Sequence, residues 1–305
     1  MKQITKKLTF QFLPIIIVGS LLFSACSKNK GTSIAPPSPL GGYVSSDSVA
    51  PANLIAYWPF DGNANETKGG MTANVHGNIT YATGVRGQSY QGAEGAYATY
   101  TPSAAFSNLQ SYSVSVWYKL PTSDPSYSST TGQDTLTQGM FFLYGTDNWL
   151  LVNEIEPFHG DSVRVHPGFQ DFASPTWQGF VPETFDTAAI GKWVNFAVTY
   201  DGGSSTYTTY QDGAPTGANT AFTAGKYVTP NPLYTDGTMA TPLGNIGWTT
   251  HTPSSVVVGS WPDMLFGQSA AVNTFRGQLD ELRVYNKALS QAEVNGLYLN
   301  GQAGR

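Results

Sequence analysis

Cysteine is almost absent from this chain: Cys26 is the only one in 305 residues. No disulfide can form within the chain, so a folded domain must be stabilised by its apolar core alone. Charged residues are also scarce, at 11%. Three of the 15 basic residues precede Cys26 and all 20 acidic residues follow it, which leaves a net charge of −8 beyond it. This acidic balance argues against nucleic-acid binding, which depends on basic patches.

Familiar catalytic motifs are missing as well. The sequence has no G-x-S-x-G, no H-E-x-x-H and no phosphate-binding P-loop. Aromatic residues are plentiful, at 13%, and the chain has 33 glycines and 19 prolines. Few charges, many aromatics and many turn residues are typical of an extracytoplasmic β protein.

The N-terminus has the pattern of a signal peptide, over residues 1–25. Three lysines in the first seven residues precede an apolar run over residues 8–23 and a small-residue boundary. A membrane-spanning helix is the alternative, but Pro14 and the short run argue against it. The letters LFSAC, Leu22–Cys26, resemble a bacterial lipobox. That resemblance implies a lipidated Cys26 and a place in the bacterial cell envelope, at the outer membrane or the cell surface.

The residues after Cys26 divide into two parts. Residues 26–52 are rich in Ser, Pro and Gly and predict a flexible tether. Residues 53–305 are a segment long enough to form one large β-sandwich domain. Contact with the membrane is therefore expected only through the lipid anchor.

Alternating apolar residues predict strands within that domain. Residues 112–118 alternate, as do residues 193–200, and a turn then leads into a Thr/Tyr-rich strand over residues 205–211. Two excursions, residues 120–190 and 214–272, are rich in turn residues. Long loops on a rigid scaffold are where binding specificity tends to lie.

The C-terminal stretch, residues 275–301, predicts a strand followed by a helix. The apolar residues of the strand change parity at Asp280–Glu281, which predicts a bulge or a strand buried on both faces. Ser290 and Glu293 have the spacing of a capping box at a helix start. Gly301 is expected to end the helix in a left-handed conformation.

Three segments carry a resemblance to a known family. The first is YWPFDGN at residues 57–63 followed by GVRGQSYQG at 84–92, the second is WVNFAVTYDGGSSTYTTYQDG at 193–213, and the third is the C-terminal stretch at 275–301. All three resemble LamG-like (laminin G-like) domains. These domains belong to the concanavalin A-like lectin/glucanase superfamily. The resemblance covers nearly all of residues 53–305 and implies an all-β fold, an antiparallel β-sandwich of jelly-roll type with a short C-terminal helix.

The resemblance also implies one structural calcium ion that joins the first and last strands. The matching positions are Asp61, Gly62, Asn63, Gly92 and Asp280. The alternative is that the polar side chains of this turn bond their own backbone and that Asp280 only clamps backbone amides.

Four tryptophans in or beside the excursions are candidates for stacking on sugar rings: Trp149, Trp177, Trp248 and Trp261. Aromatic faces pack on the apolar faces of sugars, while nearby polar groups bond hydroxyls. The alternative is that these side chains pack the loops onto the sandwich. Trp58, Trp117 and Trp193 lie in the family-like strands and are expected in the core.

One carboxylate pair could serve glycoside hydrolysis, which needs two such groups across the bond. Glu154 and Glu156 would share a strand face, but the strand lacks the E-x-D-x-x-E pattern of related glucanases and Pro157 interrupts it. A solvent-facing pair is favoured. His159 and His166 are expected at the surface or in turns.

The sequence therefore favours non-catalytic recognition of a polysaccharide or other glycan by a lipid-anchored protein. Whether the protein is an enzyme stays open, since a glycoside hydrolase or lyase is one alternative. A protein-interaction or adhesion domain is another.

Overall fold

The computed structural model describes residues 37–122, 137–157, 163–171, 184–186, 190–216, 231–233, 241–248, 251–261 and 273–305. All of these residues belong to one compact unit that begins at Pro37. No helix within these ranges has both the length and the apolar character needed to cross a membrane.

The described residues form sixteen strands and two α-helices. In chain order they are β1 (Leu54–Trp58), β2 (Ala73–His76), β3 (Thr80–Thr83), β4 (Gln88–Gln91), β5 (Tyr97–Tyr100), α1 (Ala104–Ser107), β6 (Tyr112–Lys119), β7 (Gln138–Tyr144), β8 (Trp149–Pro157), β9 (Val163–Phe169), β10 (Thr184–Asp186), β11 (Val194–Asp201), β12 (Thr206–Gln211), β13 (Ala214–Pro215), β14 (Asn231–Pro232), β15 (Ser255–Val258), β16 (Gln278–Tyr285) and α2 (Gln291–Gln302).

The strands make two antiparallel sheets. The first has the order β13-β12-β11-β6-β16-β4-β3, with β1 added beside β16 and β14 beside β12. The second has the order β10-β9-β8-β7-β15-β5-β2. One large apolar cluster draws buried residues from both sheets. The predicted all-β sandwich of jelly-roll type with a C-terminal helix is therefore confirmed.

The predicted irregularity in β16 is a bulge. The register of β16 against β6 shifts between Asp280 and Arg283, and Glu281 has a φ of 51°. All eight residues of β16 are buried, so apolar side chains of both parities have neighbours to pack against. The bulge turns charged side chains into the protein, where each of them needs a partner.

Arg283 is the one cation among these charged groups, and it is almost fully buried, at 2% exposure. Its Nη2 donates to Glu281 Oε2 at 2.6 Å and to Asp47 Oδ1 at 2.8 Å. The guanidinium also lies 4.2 Å from the ring centre of Tyr57, whose hydroxyl donates to Glu281 Oε1 at 2.5 Å. Strands β1 and β16 are thus joined by a buried ionic network as well as by their backbone hydrogen bonds.

Asp47 belongs to the stretch that the sequence assigns to a tether, of which residues 26–36 lie outside the described residues. Residues 37–52 pack on the sandwich. The hydroxyl of Ser46 donates to the carbonyl of Arg305 at 2.7 Å, and Val49 is buried in a cluster with α2 residues. The packed unit therefore extends sixteen residues before Asn53.

Helix α2 begins as the capping box predicts. The Ser290 hydroxyl accepts from the Glu293 amide at 3.3 Å, and Glu293 Oε2 accepts from the Ser290 amide at 2.7 Å. The expected end at Gly301 is wrong, because α2 continues to Gln302 and the left-handed residue is Gly304, with a φ of 68°. Gly301 instead allows a close approach: a Cβ there would lie 2.6 Å from Trp117 Nε1.

Glu66 fixes the loop that follows β1. Its two carboxylate oxygens accept hydrogen bonds from four backbone amides, those of Tyr57, Lys68, Gly69 and Met71, at 2.6–3.2 Å. The Glu66 side chain is nearly buried, at 7% exposure. One carboxylate thus accepts the hydrogen bonds that the backbone amides of this loop would otherwise donate to water.

We expect Glu66→Gln to lower the free energy of unfolding by about 2–3 kcal/mol, because the new amide nitrogen cannot accept from a backbone N–H. Urea unfolding followed by circular dichroism measures the change. The matched control is Glu94→Gln, whose side chain is 75% exposed and should leave stability unchanged. Equal effects of the two substitutions would contradict this role for Glu66.

Candidate functional site: the outer face of the second sheet

The second sheet has an apolar cluster on the face that points away from the main core. Phe142 pairs with Val152 on β8 and with Val257 on β15, and these three side chains pack together with Tyr144. The residues that alternate with them along the strands belong to the main core. Since strand side chains alternate between faces, this second cluster lies on the outer face.

Two of the predicted tryptophans lie on this cluster. Trp261 stacks on Phe142 with ring centres 6.1 Å apart and an interplanar angle of 10°. Trp149 packs against the same cluster, and both indoles are half-buried. Together with Tyr97, Phe142 and Tyr144, they form what we call the aromatic patch.

Polar side chains border the aromatic patch on strands β2 and β5. The ring of His76 stacks on Tyr97 with centres 4.3 Å apart and an angle of 8°. Its Nε2 lies 3.2 Å from both the Thr99 hydroxyl and the side-chain nitrogen of Asn74. The patch therefore has the half-buried Tyr97, Trp149 and Trp261 beside hydroxyl, amide and imidazole groups.

The other two predicted tryptophans do not add to the described patch. Trp248 is only 4% exposed, belongs to the main core, and donates its Nε1–H to the carbonyl of Phe106 at 2.8 Å. It packs a loop onto the sandwich and has no exposed face for a sugar. Trp177 lies outside the described residues. Trp193, expected in the core, is half-buried, and Lys119 Nζ lies 5.8 Å from its ring centre.

A second group of polar side chains lies on β8 and β9, on the same face as Val152. Glu154 is directly opposite His166 in the antiparallel register, and Glu156 is opposite Arg164. His166 Nδ1 lies 3.4 Å from Glu154 Oε1 and 3.2 Å from Glu156 Oε1. We call Glu154, Glu156 and His166 the carboxylate–imidazole cluster.

Burial distinguishes the two carboxylates. Glu154 is 1% exposed, and its Oε2 has no hydrogen-bond partner among the described residues. Burial raises the pKa of Glu154, although His166 and the charge of Arg164 act in the opposite direction. Glu156 is half-buried, and its Oε2 forms an ion pair with the Arg164 guanidinium.

These positions differ from the sequence expectations. The shared strand face of Glu154 and Glu156 is confirmed, but Glu154 does not face solvent, and His166 is buried at 6% exposure rather than lying at the surface or in a turn. His159 lies outside the described residues. An E-x-E strand followed by the strand-like letters V-R-V-H was the available signal, but the cross-strand register was needed to bring these groups together.

The geometry allows the carboxylate–imidazole cluster to hold a metal ion, since one ligand atom from each side chain lies within 4.8 Å of the others. The carboxylate–imidazole cluster is less suited to glycoside hydrolysis. The acid and base of a glycosidase must both reach the scissile bond. Glu154 is covered and Glu156 is held by Arg164.

Two of the residues matched to a calcium site, Asp61 and Asp280, bond one loop at a different place. Asp280 Oδ2 accepts from the amides of Val85 and Arg86 at 2.7 and 3.1 Å, and Oδ1 accepts from its neighbour Glu281 at 2.8 Å. Asp61 Oδ1 accepts from the Gln88 amide at 2.8 Å. The two carboxylates therefore close the same loop, between β3 and β4.

The remaining matched residues have local structural roles. Gly62 has a φ of 73°, and the Asn63 side chain donates to the Asp61 carbonyl at 3.0 Å. The Gly92 amide donates to the carbonyl of Gly277 at 2.9 Å. Burial raises the pKa of Asp280 to about 8, while its hydrogen bonds from backbone amides oppose that shift.

No protein-family model and no curated protein sequence matches the chain. Solved structures do resemble it. The binding domain of botulinum neurotoxin serotype G gives a TM-score of 0.51 at 15% identity, over 81% of this chain and 50% of that one. The ligand binding domain of serotype D, in complex with N-acetylneuraminic acid, gives 0.51 at 12% identity, over 83% and 52%.

A third similar structure is domain 4 of AbnA, a GH43 extracellular arabinanase from Geobacillus stearothermophilus, in complex with arabinotriose. Its TM-score is 0.49 at 19% identity, over 81% of this chain and 98% of that one. This chain spans about half the length of the two neurotoxin chains. At these identities the likeness to the two neurotoxin domains shows a shared β-sandwich fold.

Proposed function

We propose that this protein binds a glycan without cleaving it, through the aromatic patch and its polar border. One observation carries the proposal: Trp149 and Trp261, far apart in sequence, are brought by strand pairing onto the same outer sheet face, where both remain only half-buried. Monomeric proteins rarely leave neighbouring apolar side chains exposed to water, and where they do, the exposed patch is often a binding site.

The chemistry of the patch suits a sugar. The C–H face of a pyranose or furanose ring would pack on the indoles, and its hydroxyls would exchange hydrogen bonds with Thr99, Asn74 and His76. A neurotoxin domain with the same sandwich fold holds N-acetylneuraminic acid, so this architecture is compatible with sugar binding. The covered Glu154 favours binding over hydrolysis.

The proposal also includes the cellular location of the protein. The LamG-like resemblance of residues 53–305 and the lipobox at Leu22–Cys26 support a sugar-binding domain attached to the bacterial envelope by a lipid on Cys26. Residues 26–36 would then separate the packed unit from the membrane. Incorporation of labelled palmitate into the wild-type chain, lost in Cys26→Ala, would support that anchor.

We expect the full chain to bind at least one member of a panel of arabinan, laminarin, xylan and sialyllactose, and to release no reducing sugar from it. Trp149→Ala and Trp261→Ala should each weaken binding by about threefold to tenfold, because each removes one stacking surface. Isothermal titration calorimetry measures the affinities.

The matched control is Trp193→Ala, which removes a half-buried tryptophan beside Lys119 rather than one in the patch. It should bind the same glycan with unchanged affinity. The proposal would be contradicted if the protein bound none of the glycans in the panel. It would also be contradicted if the patch variants bound as tightly as the wild-type protein.

A structural calcium ion is a separate part of the proposal, and it derives from the family resemblance. Asp61 and Asp280 close the same loop. Among the described hydrogen bonds, Asp61 accepts only through its Oδ1, so its Oδ2 is available to a cation. Calcium prefers such carboxylate oxygens together with backbone carbonyls.

We expect Ca²⁺ to raise the Tm of chelator-treated protein, because it would bind the folded state only. Asp61→Asn should abolish the Ca²⁺-dependent rise, whereas Asp201→Asn, in an unrelated turn, should preserve it. A Tm that is the same in Ca²⁺ and in chelator would leave the amide clamp as the whole role of Asp280.

A further inference from the structure

The carboxylate–imidazole cluster is not explained by sugar binding. It lies on β8 and β9, and Glu154 is almost fully covered there. A carboxylate oxygen without a partner in such a place is unfavourable, because burial removes the water that would solvate its charge. Glu154 Oε2 nevertheless has no hydrogen-bond partner among the described residues.

We propose that Glu154, Glu156 and His166 bind one first-row divalent transition-metal ion, of which Zn²⁺ is the example we would test. The ion would join β8 to β9 and neutralise the buried carboxylate. This inference does not depend on glycan binding, since no ligand of the ion belongs to the aromatic patch.

The two distances between the imidazole and the carboxylates fit such an ion. Zinc binds imidazole nitrogen and carboxylate oxygen at about 2.0–2.2 Å in tetrahedral geometry, which puts neighbouring ligand atoms about 3.4 Å apart. The distances from His166 Nδ1 to the two carboxylate oxygens are 3.2 and 3.4 Å. Both acids therefore approach the same ring nitrogen, as ligands around one ion would.

The donor types select the class of metal. Calcium takes six to eight oxygen ligands at longer distances, whereas imidazole suits zinc and other transition metals. Three protein ligands leave a fourth tetrahedral position for water or another donor.

The charges around the cluster are compatible with a cation. Glu154 and Glu156 supply two negative charges, and the guanidinium of Arg164 compensates one of them through Glu156 Oε2. Because Arg164 contacts Oε2 while Oε1 faces His166, the arginine can orient the carboxylate as an outer partner of the ligand.

The experiment uses the full chain, purified without a histidine tag and treated with chelator. We expect Zn²⁺ to bind with one equivalent per chain in calorimetry. At a hundredfold excess over Kd, it should raise the Tm by about 5 °C or more. Co²⁺ should give the visible absorption of a tetrahedral site, which a loosely bound surface ion would not give.

Glu154→Gln and His166→Gln should each remove the bound equivalent, the Tm shift and the Co²⁺ absorption. His251→Gln is the matched control, since His251 Nδ1 bonds the exposed carboxylate of Asp147 and lies outside the cluster. It should keep all three signals. If Glu154→Gln fails to fold, Glu156→Gln provides the same comparison at a half-buried position.

Either of two results would overturn the proposal. One is a wild-type protein that binds no equivalent of Zn²⁺ or Co²⁺ and keeps the same Tm. The other is a folded cluster variant that retains the tetrahedral Co²⁺ absorption, because the ion would then be bound elsewhere. Calcium added in the same assay should not displace the Co²⁺ absorption.

Discussion

The bulge at Asp280–Glu281 is the constraint on which the rest of the first sheet depends. Strand β16 pairs with β1, β4 and β6, so any shift in its register would move three neighbours. The bulge is held because Asp280 accepts three backbone amides and Glu281 is bonded to Arg283. Breaking one member of this buried network would leave its partners charged and unsolvated, which is far more costly than losing a surface ion pair.

Local patterns in the sequence predict the fold well where neighbouring residues decide it. The parity change locates the bulge because side chains alternate along a strand, and Ser290 with Glu293 locates the start of α2 because both hydrogen bonds of a capping box are local. The role of Gly301 was not predictable. It depends on the indole of Trp117, a contact between distant parts of the chain that no local pattern records.

At the candidate site, too, local features could be predicted and contacts between distant parts of the chain could not. Trp149 and Trp261 could be chosen from the sequence as aromatic residues beside long excursions, but their meeting place follows from the pairing of β15, β7 and β8. Glu154 and His166 were harder to predict. Their contact needs the register of β8 against β9, and a slip of one residue would send one of them to the opposite face.

Strand pairing rather than loop conformation builds the described patch, and this affects how it can bind. Trp149 begins β8 opposite Tyr144, and Trp261 follows β15 with its amide bonded to the Asn273 carbonyl at 3.1 Å. Side chains fixed in this way would lose little conformational freedom if the proposed glycan bound, so more of the stacking energy would remain as affinity. A metal ion joining β8 to β9 would act in the same direction, because β8 carries both Trp149 and Glu154.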